Sequence, residues 1–402
     1  MVRGIRLTAA VTIGALCATL TACGGDDGGS GSSDPFRIGA VAPLSGPYAA
    51  IGTGVKEGLE LGAEEVNANG GILGRQVEVQ TLDSAGDPAR GLAAAQQLVE
   101  RDKVDFVYPD AFPNVVLAIL QYTSARNVLT VTAGATPAIT EIDKYPFSFS
   151  IGAPFNAYDE QMAAQFKAIN ATDIGLLVTD DTSGTAFTAV WEKDFPAAGL
   201  NIKAVERYSP TATDVTATLQ RLRGAGIQAI AFYGAGTQTS AVMQGIEALG
   251  WDVPVVAQTA SVTGDLATLI PAAVQDQFRA VALRILGRST PDAVDATFQP
   301  FTGKLKSAGP IVSLVGSAVS RDIVLLLKWA YEKAGSTDSA AVRTALESTG
   351  ASPPDLDLLA SPVPAFSATV HNMSATRFPP ELLTVIKPSK PLDGTYEILA
   401  GS

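Results

Sequence analysis

The chain has 402 residues, more than one hydrophobic core usually serves, and its 47% hydrophobic content is enough to fill two sizeable cores. With 28 basic against 40 acidic residues it carries −12 and shows no basic cluster, which argues against a nucleic-acid partner. A single histidine and two cysteines leave nucleophilic and zinc chemistry short of parts.

Arg3 and Arg6 form a short basic region, residues 7–20 an apolar core, and Leu20-Thr21-Ala22-Cys23 a cleavage site resembling a bacterial lipobox. Fourteen apolar residues fall short of the roughly 20 that span a bilayer. Residues 1–22 are therefore expected to be a lipoprotein signal peptide, with Cys23 acylated as the first residue of the processed chain. Residues 23–35, rich in Gly, Ser and Asp, read as a flexible tether.

An apolar strand over 36–41 breaks at Pro43, Gly46 and Pro47. From Gly52 the period becomes helical: Val55, Leu59, Ala63 and Val66 make one stripe with Gly58 and Gly62 between them, opposite Lys56, Glu57, Glu60, Glu64 and Glu65. Asn67 to Gly71 supply a left-handed cap, and 76–83 alternate as a strand. The result is a βαβ unit whose loops sit at the carboxyl edge of a parallel sheet, where open α/β folds bind ligands.

A second helix is predicted over 86–101, with Asp87 as N-cap and Pro88 in the first turn. Strand 104–112, helix 115–125, strand 127–131 and a helix start at Thr136-Pro137 continue the alternation into a doubly wound sheet. Strand 145–151 and helix 157–169 open a second series. Strands at 174–178, 202–208, 229–233 and 253–257 alternate there with helices at 184–198, 214–225 and 237–249. Residues 277–286 are extended, 292–308 and 317–334 helical, and the proline-rich tail from Pro362 strand-like.

In order and spacing, PLSGPYAAIG, NANGGILGRQVEV and DSAGDP resemble the start of type I periplasmic solute-binding proteins, the branched-chain amino-acid class that serves ABC importers. The likeness extends over nearly everything after Asp34. It implies two doubly wound, Rossmann-like α/β lobes joined by three crossover strands, at 147–151, 277–284 and roughly 362–369. Lobe one would hold 36–149 plus 277–362, and lobe two 150–276 plus 363–402. It also implies a monomeric, lipid-anchored extracytoplasmic protein that passes a small molecule to an ABC permease. The alternative is a receptor of the same fold coupled to a signalling protein.

No catalytic residue, cofactor or metal is expected. The chain has no G-x-S-x-G, H-E-x-x-H, P-loop or C-x-x-C. Gly52-Thr53-Gly54 with Gly58 imitates a dinucleotide fingerprint at the wrong spacing and reads as close helix packing. His371 reads as a structural hydrogen-bonding residue. A hydrolase using Asp180 or Asp181 as base would lack an evident nucleophile.

Mapped onto this sequence, the resemblance puts the ligand between the lobes, against Ser45 and Tyr48 of the first loop and against further loops that follow strands. Ala133, Gly134, Ala135 and Thr136 match the segment whose backbone holds a carboxylate, the alternative being an ordinary turn. Phe112 and Pro113 stand where a serine pair is usual. Asp181 lies in the DDTSGTAF loop, and Tyr233 is expected at the cleft edge or in the core. Thr259 replaces the acidic residue that receives an amino acid's ammonium, although Asp181 or Asp265 could substitute. Two missing polar anchors favour a carboxylate, amide or aromatic compound over a branched-chain amino acid.

Overall fold

Alternating apolar strands and amphipathic helices bury their faces by layering helices on both sides of parallel sheets, and the computed structural model shows two such layers. It describes residues 34–134, 136–234, 236–373 and 378–400. The expected leader, Cys23 and Ala135 lie outside these residues.

The first lobe takes β1 (Phe36–Ala42), α1 (Ala49–Ala68), β2 (Val77–Asp83), α2 (Pro88–Gln96), β3 (Phe106–Pro109), α3 (Pro113–Ser124), β4 (Thr130–Thr132) and β5 (Ser148–Ser150). Its five strands are all parallel, in the order β2-β1-β3-β4-β5. The second lobe follows with α4 (Phe155–Ala168), β6 (Asp173–Thr179), α5 (Thr182–Ala197), β7 (Asn201–Tyr208), α6 (Thr216–Gly224), β8 (Ala229–Phe232), α7 (Thr237–Ala248), β9 (Val255–Gln258), α8 (Leu266–Leu269) and β10 (Phe278–Leu283). The chain then forms β11 (Gly287–Arg288) and returns to pack α9 (Gln299–Ala308), α10 (Leu314–Ala334) and α11 (Ser339–Glu347) with the first lobe. β12 (Leu383–Ile386) adds antiparallel to β10, giving the second sheet the order β12-β10-β9-β8-β6-β7, and β13 (Tyr396–Glu397) pairs with β11.

In each sheet the first strand lies between its next two neighbours in sequence, so the winding reverses at β1 and at β6. The loops leaving β1 and β6 therefore open at the switch points where such sheets take ligands.

Local chemistry explains the element ends. Asp87 caps α2 by accepting the Arg90 N–H at 2.8 Å, and Gly70 and Gly71 adopt positive φ after α1. Four elements differ from expectation. The helix expected over 292–308 begins only at Gln299, because the Thr290–Ala293 bridge turns the chain before it and Pro300 sets its first turn. Residues 137–140 form a single 3-10 turn rather than a helix. No strand forms over 362–369, where Pro362 and Pro364 remove ladder donors. That stretch turns back, and His371 docks on β5: Ser150 N–H donates to the His371 carbonyl at 2.9 Å, and the ring stacks on Phe149 at 3.9 Å. Its nitrogens lie 3.2 Å from the Ser148 carbonyl and 3.0 Å from Glu347. Lastly, α10 starts at Leu314, earlier than the apolar period suggested, because Ser313 caps it by accepting the Gly316 N–H.

Helices α1 and α10 cross almost backbone to backbone. A Cβ at Gly54 or Gly58 would collide with the carbonyl oxygen of Ser313 or Ser317, and one at Gly62 with the Val324 side chain. A forked ion pair, Arg321 to Glu65 at 2.7 and 3.0 Å, closes the same interface. Gly58→Ala should lower the stability of the whole chain by about 1–3 kcal/mol, read by chemical denaturation, since the helices must part to admit a methyl group; an unchanged midpoint would refute the close crossing.

In the second lobe Asp159 is buried, and its Oδ1 accepts the Trp191 indole N–H at 2.8 Å. Burial, reinforced by the neighbouring Asp194, pushes the Asp159 carboxyl up to about 8. The folded chain thus keeps a proton that the unfolded chain releases above about pH 3.9. This contribution is fully present below that pH and is lost as pH rises through about 8. Across that window the group should remove up to roughly 1.4 kcal/mol of stability per pH unit. Asp159→Asn should flatten the profile, and identical pH slopes for both proteins would contradict the assignment.

Candidate functional site

The β1 loop is held by the end of β2. Asp83 accepts Leu44 N–H at 2.8 Å and the Ser45 hydroxyl at 2.7 Å, so exposed Ser45 spends its side chain on loop structure. Beyond it, Tyr48 packs its ring on Phe112 at 4.3 Å. Its hydroxyl crosses to the second lobe, where Gln238 Nε2 donates to it at 3.4 Å and Asp181 lies alongside. Burial pushes the Tyr48 phenol up to about 12, so it remains protonated. Pro47 also approaches Gly236 so closely that a side chain there would strike its carbonyl. The lobes thus touch at the mouth of the cleft.

Beneath this contact lies a cavity of about 180 Å³ walled by both lobes. On the first lobe the walls are mainly apolar: Ile51 and Val55 of α1, Phe112 and Pro113, and Val315 and Val319 of α10. The second lobe supplies Phe187 stacked on Tyr233 at 4.0 Å, together with most of the side-chain hydroxyls. Tyr158 directs its hydroxyl at Thr259, whose buried Oγ1 has no partner at hydrogen-bonding geometry. Tyr233 sits beside Ser183. Burial raises both phenols far above their ordinary value, so they are neutral.

None of the described lining residues is ionisable to a full charge near neutral pH. The nearest carboxylates are turned into their own backbones. Asp110, at a positive φ, accepts Ala111 and Phe112 N–H at 2.6 and 3.0 Å and the Ser84 hydroxyl at 2.7 Å; burial still pushes it up to about 6. Asp181 caps α5 by accepting Gly184 N–H and the Thr179 hydroxyl, each at 2.8 Å. The turn after β4 is satisfied internally as well: Thr132 Oγ1 donates to the Asp110 carbonyl and accepts the Gly134 N–H at 3.0 Å.

Of the residues singled out in the sequence, Phe112, Ala133, Gly134, Tyr233 and Thr259 line the cavity. Tyr48 and Asp181 sit at the rim, Ser45 lies outside, Thr136 is buried in the turn beyond Gly134, and Asp265 caps α8. Ser183 and Phe187 were reached only as part of the DDTSGTAF loop, and Tyr158, Gln258 and the first turn of α10 went unrecognised. Phe187 lies in the helix that starts where β6 ends, which was a usable signal. The start of α10 was hidden because its cap precedes the apolar period.

No helix among the described residues is long and apolar enough to cross a membrane, and no group of three His, Cys, Asp or Glu side chains is placed to hold a metal ion. Two parallel-sheet lobes meeting over one neutral cavity define a bilobal binder of small solutes. The chain belongs to the periplasmic binding protein family, whose profile matches residues 35–376, and within it to the type I branched-chain amino-acid group of non-enzymatic solute-binding proteins. The Leu/Ile/Val-binding protein BraC3 of Rhizobium johnstonii is 26% identical over 320 residues, 78% of this chain and 83% of that protein. An extracellular ligand-binding receptor from Rhodopseudomonas palustris HaA2 superposes with a TM-score of 0.75 at 19% identity, covering 91% of this chain and all of the other. A solute-binding protein of an R. palustris ABC transporter, solved with 4-hydroxybenzoate, gives 0.70 at 21% identity over 91% and 95% of the two chains.

Tyr48→Phe removes the phenol oxygen that bridges the lobes while keeping the ring on Phe112. Solute binding followed by calorimetric titration should weaken by about 1 kcal/mol or less, with the melting midpoint of the solute-free protein unchanged; undiminished affinity would exclude this contact from the bound state.

Proposed function

We propose that the chain is the extracytoplasmic solute-binding component of an ABC importer, which encloses one small organic solute between its lobes and delivers it to a permease. The observation that carries this reading is the cavity of about 180 Å³ walled by both lobes beneath the Tyr48–Gln238 contact. A solute touching both walls binds the apposed lobes better than separated ones and shifts the population toward them.

An apolar cavity of roughly 150 Å³ accepts a benzene ring, so the space here suits a single ring or a branched aliphatic body with one small polar end. The Rhizobium relative is named for leucine, isoleucine and valine, and the R. palustris protein holds 4-hydroxybenzoate. Between these, the lining favours the ring, because an α-ammonium would meet Thr259 rather than a carboxylate, and an unpaired buried ion costs several kcal/mol. In this reading Phe112, Ala133, Gly134, Tyr233 and Thr259 contact the solute, while Tyr48 and Asp181 govern the rim. Processing before Cys23 and acylation there would tether a monomer to the membrane through residues 23–35.

Thermal-shift screening against aromatic and aliphatic acids, amides and amino acids, followed by small-angle scattering, tests the proposal. A cognate solute at about 100 times its dissociation constant adds roughly 2.7 kcal/mol of stability and should favour the compact form seen in scattering. A panel in which nothing stabilises the chain, or a stabilising solute that leaves the radius of gyration above the value calculated for these apposed lobes, would overturn it.

A further inference from the structure

The polar groups of the cavity are arranged unevenly, and all of them are neutral. We propose that the solute is an uncharged, single-ring compound whose polar group meets Tyr158 and Thr259 on the second lobe, and that the cavity rejects the same body carrying either an anionic or a cationic head. This rests on the solute-binding reading above and narrows it.

Three observations carry the inference. First, Thr259 Oγ1 is buried at the cavity wall with no partner at good hydrogen-bonding geometry, the Tyr158 hydroxyl beside it making at most a poorly aligned contact. A buried hydroxyl pair of this kind is satisfied by a ligand that both donates and accepts. Second, an anion finds no cationic side chain among the described lining residues. The Gly134 N–H is taken by Thr132, and one first-turn N–H of α5 and one of α10 are taken by Asp181 and Ser313. Third, a cation finds no carboxylate among the described lining residues to pair with directly, Asp110 and Asp181 accepting instead from backbone N–H and hydroxyl donors. The ring itself would lie between Phe112 of the first lobe and the Phe187–Tyr233 stack of the second.

Benzamide, benzoate and benzamidinium share one shape and differ only in charge, which makes them the probes. Titrated into the purified full-length chain near neutral pH, benzamide should bind at least about tenfold tighter than either ion, with little dependence on salt. Benzoate or benzamidinium binding as tightly as benzamide overturns the inference, as does silence from all three. Thr259→Val should weaken benzamide several-fold while leaving toluene unchanged, and Thr259→Asp should invert the order so that benzamidinium binds best. Equal benzamide affinity in wild type and Thr259→Val refutes the assigned contact. L-Leucine binding with the three probes silent overturns this inference and leaves the solute-binding reading standing; a chain stabilised by no solute overturns both.

Discussion

The structure depends on how closely α1 and α10 can approach. Gly54, Gly58 and Gly62 recur every four residues and present bare backbone to Ser313, Ser317 and Arg321. This contact does more than close the first lobe's core. It brings the amino-terminal parts of two helices distant in sequence to one spot, where Ile51 and Val55 from α1 and Val315 and Val319 from α10 form one apolar floor of the cavity. The same interface carries charge. Arg321 bridges Glu65 and the fully buried Asp322, which in turn accepts Leu359 and Ala360 N–H at 2.9 and 2.8 Å. The loop so held places the Ser361 hydroxyl on the Ile151 carbonyl at 2.9 Å, where the chain leaves the first sheet for the second lobe. A stripe of missing side chains thus supports both the binding floor and one passage between lobes.

Electrostatics then decide what the cavity can accept. Acidic side chains are abundant overall, yet those nearest the cavity point away from it. Asp110 and Asp181 satisfy backbone amides at the starts of helices, which is where such groups favour negative charge. Using a carboxylate this way removes the local positive potential that would otherwise attract an anionic solute. In the proposed reading hydroxyls and aromatic rings are left to make the specificity, and such groups reward shape and hydrogen-bond direction rather than charge.

The βαβ plan was legible because its signals are local: the period change at Gly52, the Asp87-Pro88 start and the Asn67 to Gly71 stop each report on a few consecutive residues. The family likeness rested on the same punctuation, so it led to loops that follow strands, and of the residues named there Phe112, Ala133, Gly134, Tyr233 and Thr259 line the cavity. Tyr158 and the first turn of α10 were invisible for the opposite reason. Each lines the cavity only through long-range packing, and an aromatic or small residue at a helix start reads equally well as core. The stretch 362–369 misled because an apolar, proline-rich segment looks extended whether or not it joins a sheet; here it turns back, and the strand forms at β12 instead.

The contacts between the lobes bear on how solute and conformation are linked. At 3.4 Å the Tyr48–Gln238 hydrogen bond is long, and a good one is worth only about 1 kcal/mol net. Such a mouth contact cannot by itself hold two lobes together against their gain of freedom on separating. A buried aromatic ring covers about 150–250 Å² of apolar surface, which at roughly 25 cal/mol per Å² is about 4–6 kcal/mol. Moving a two-state equilibrium from 1:99 to 99:1 takes about 5.5 kcal/mol of differential binding. In the proposed binding mode only the face that closure adds, about half of this area, counts as differential binding, so apolar burial supplies a large part of that energy and polar contacts supply the rest. In the proposed mode the Tyr158 and Thr259 hydroxyls would then choose among bodies of that size by the penalty for leaving a polar group unmatched.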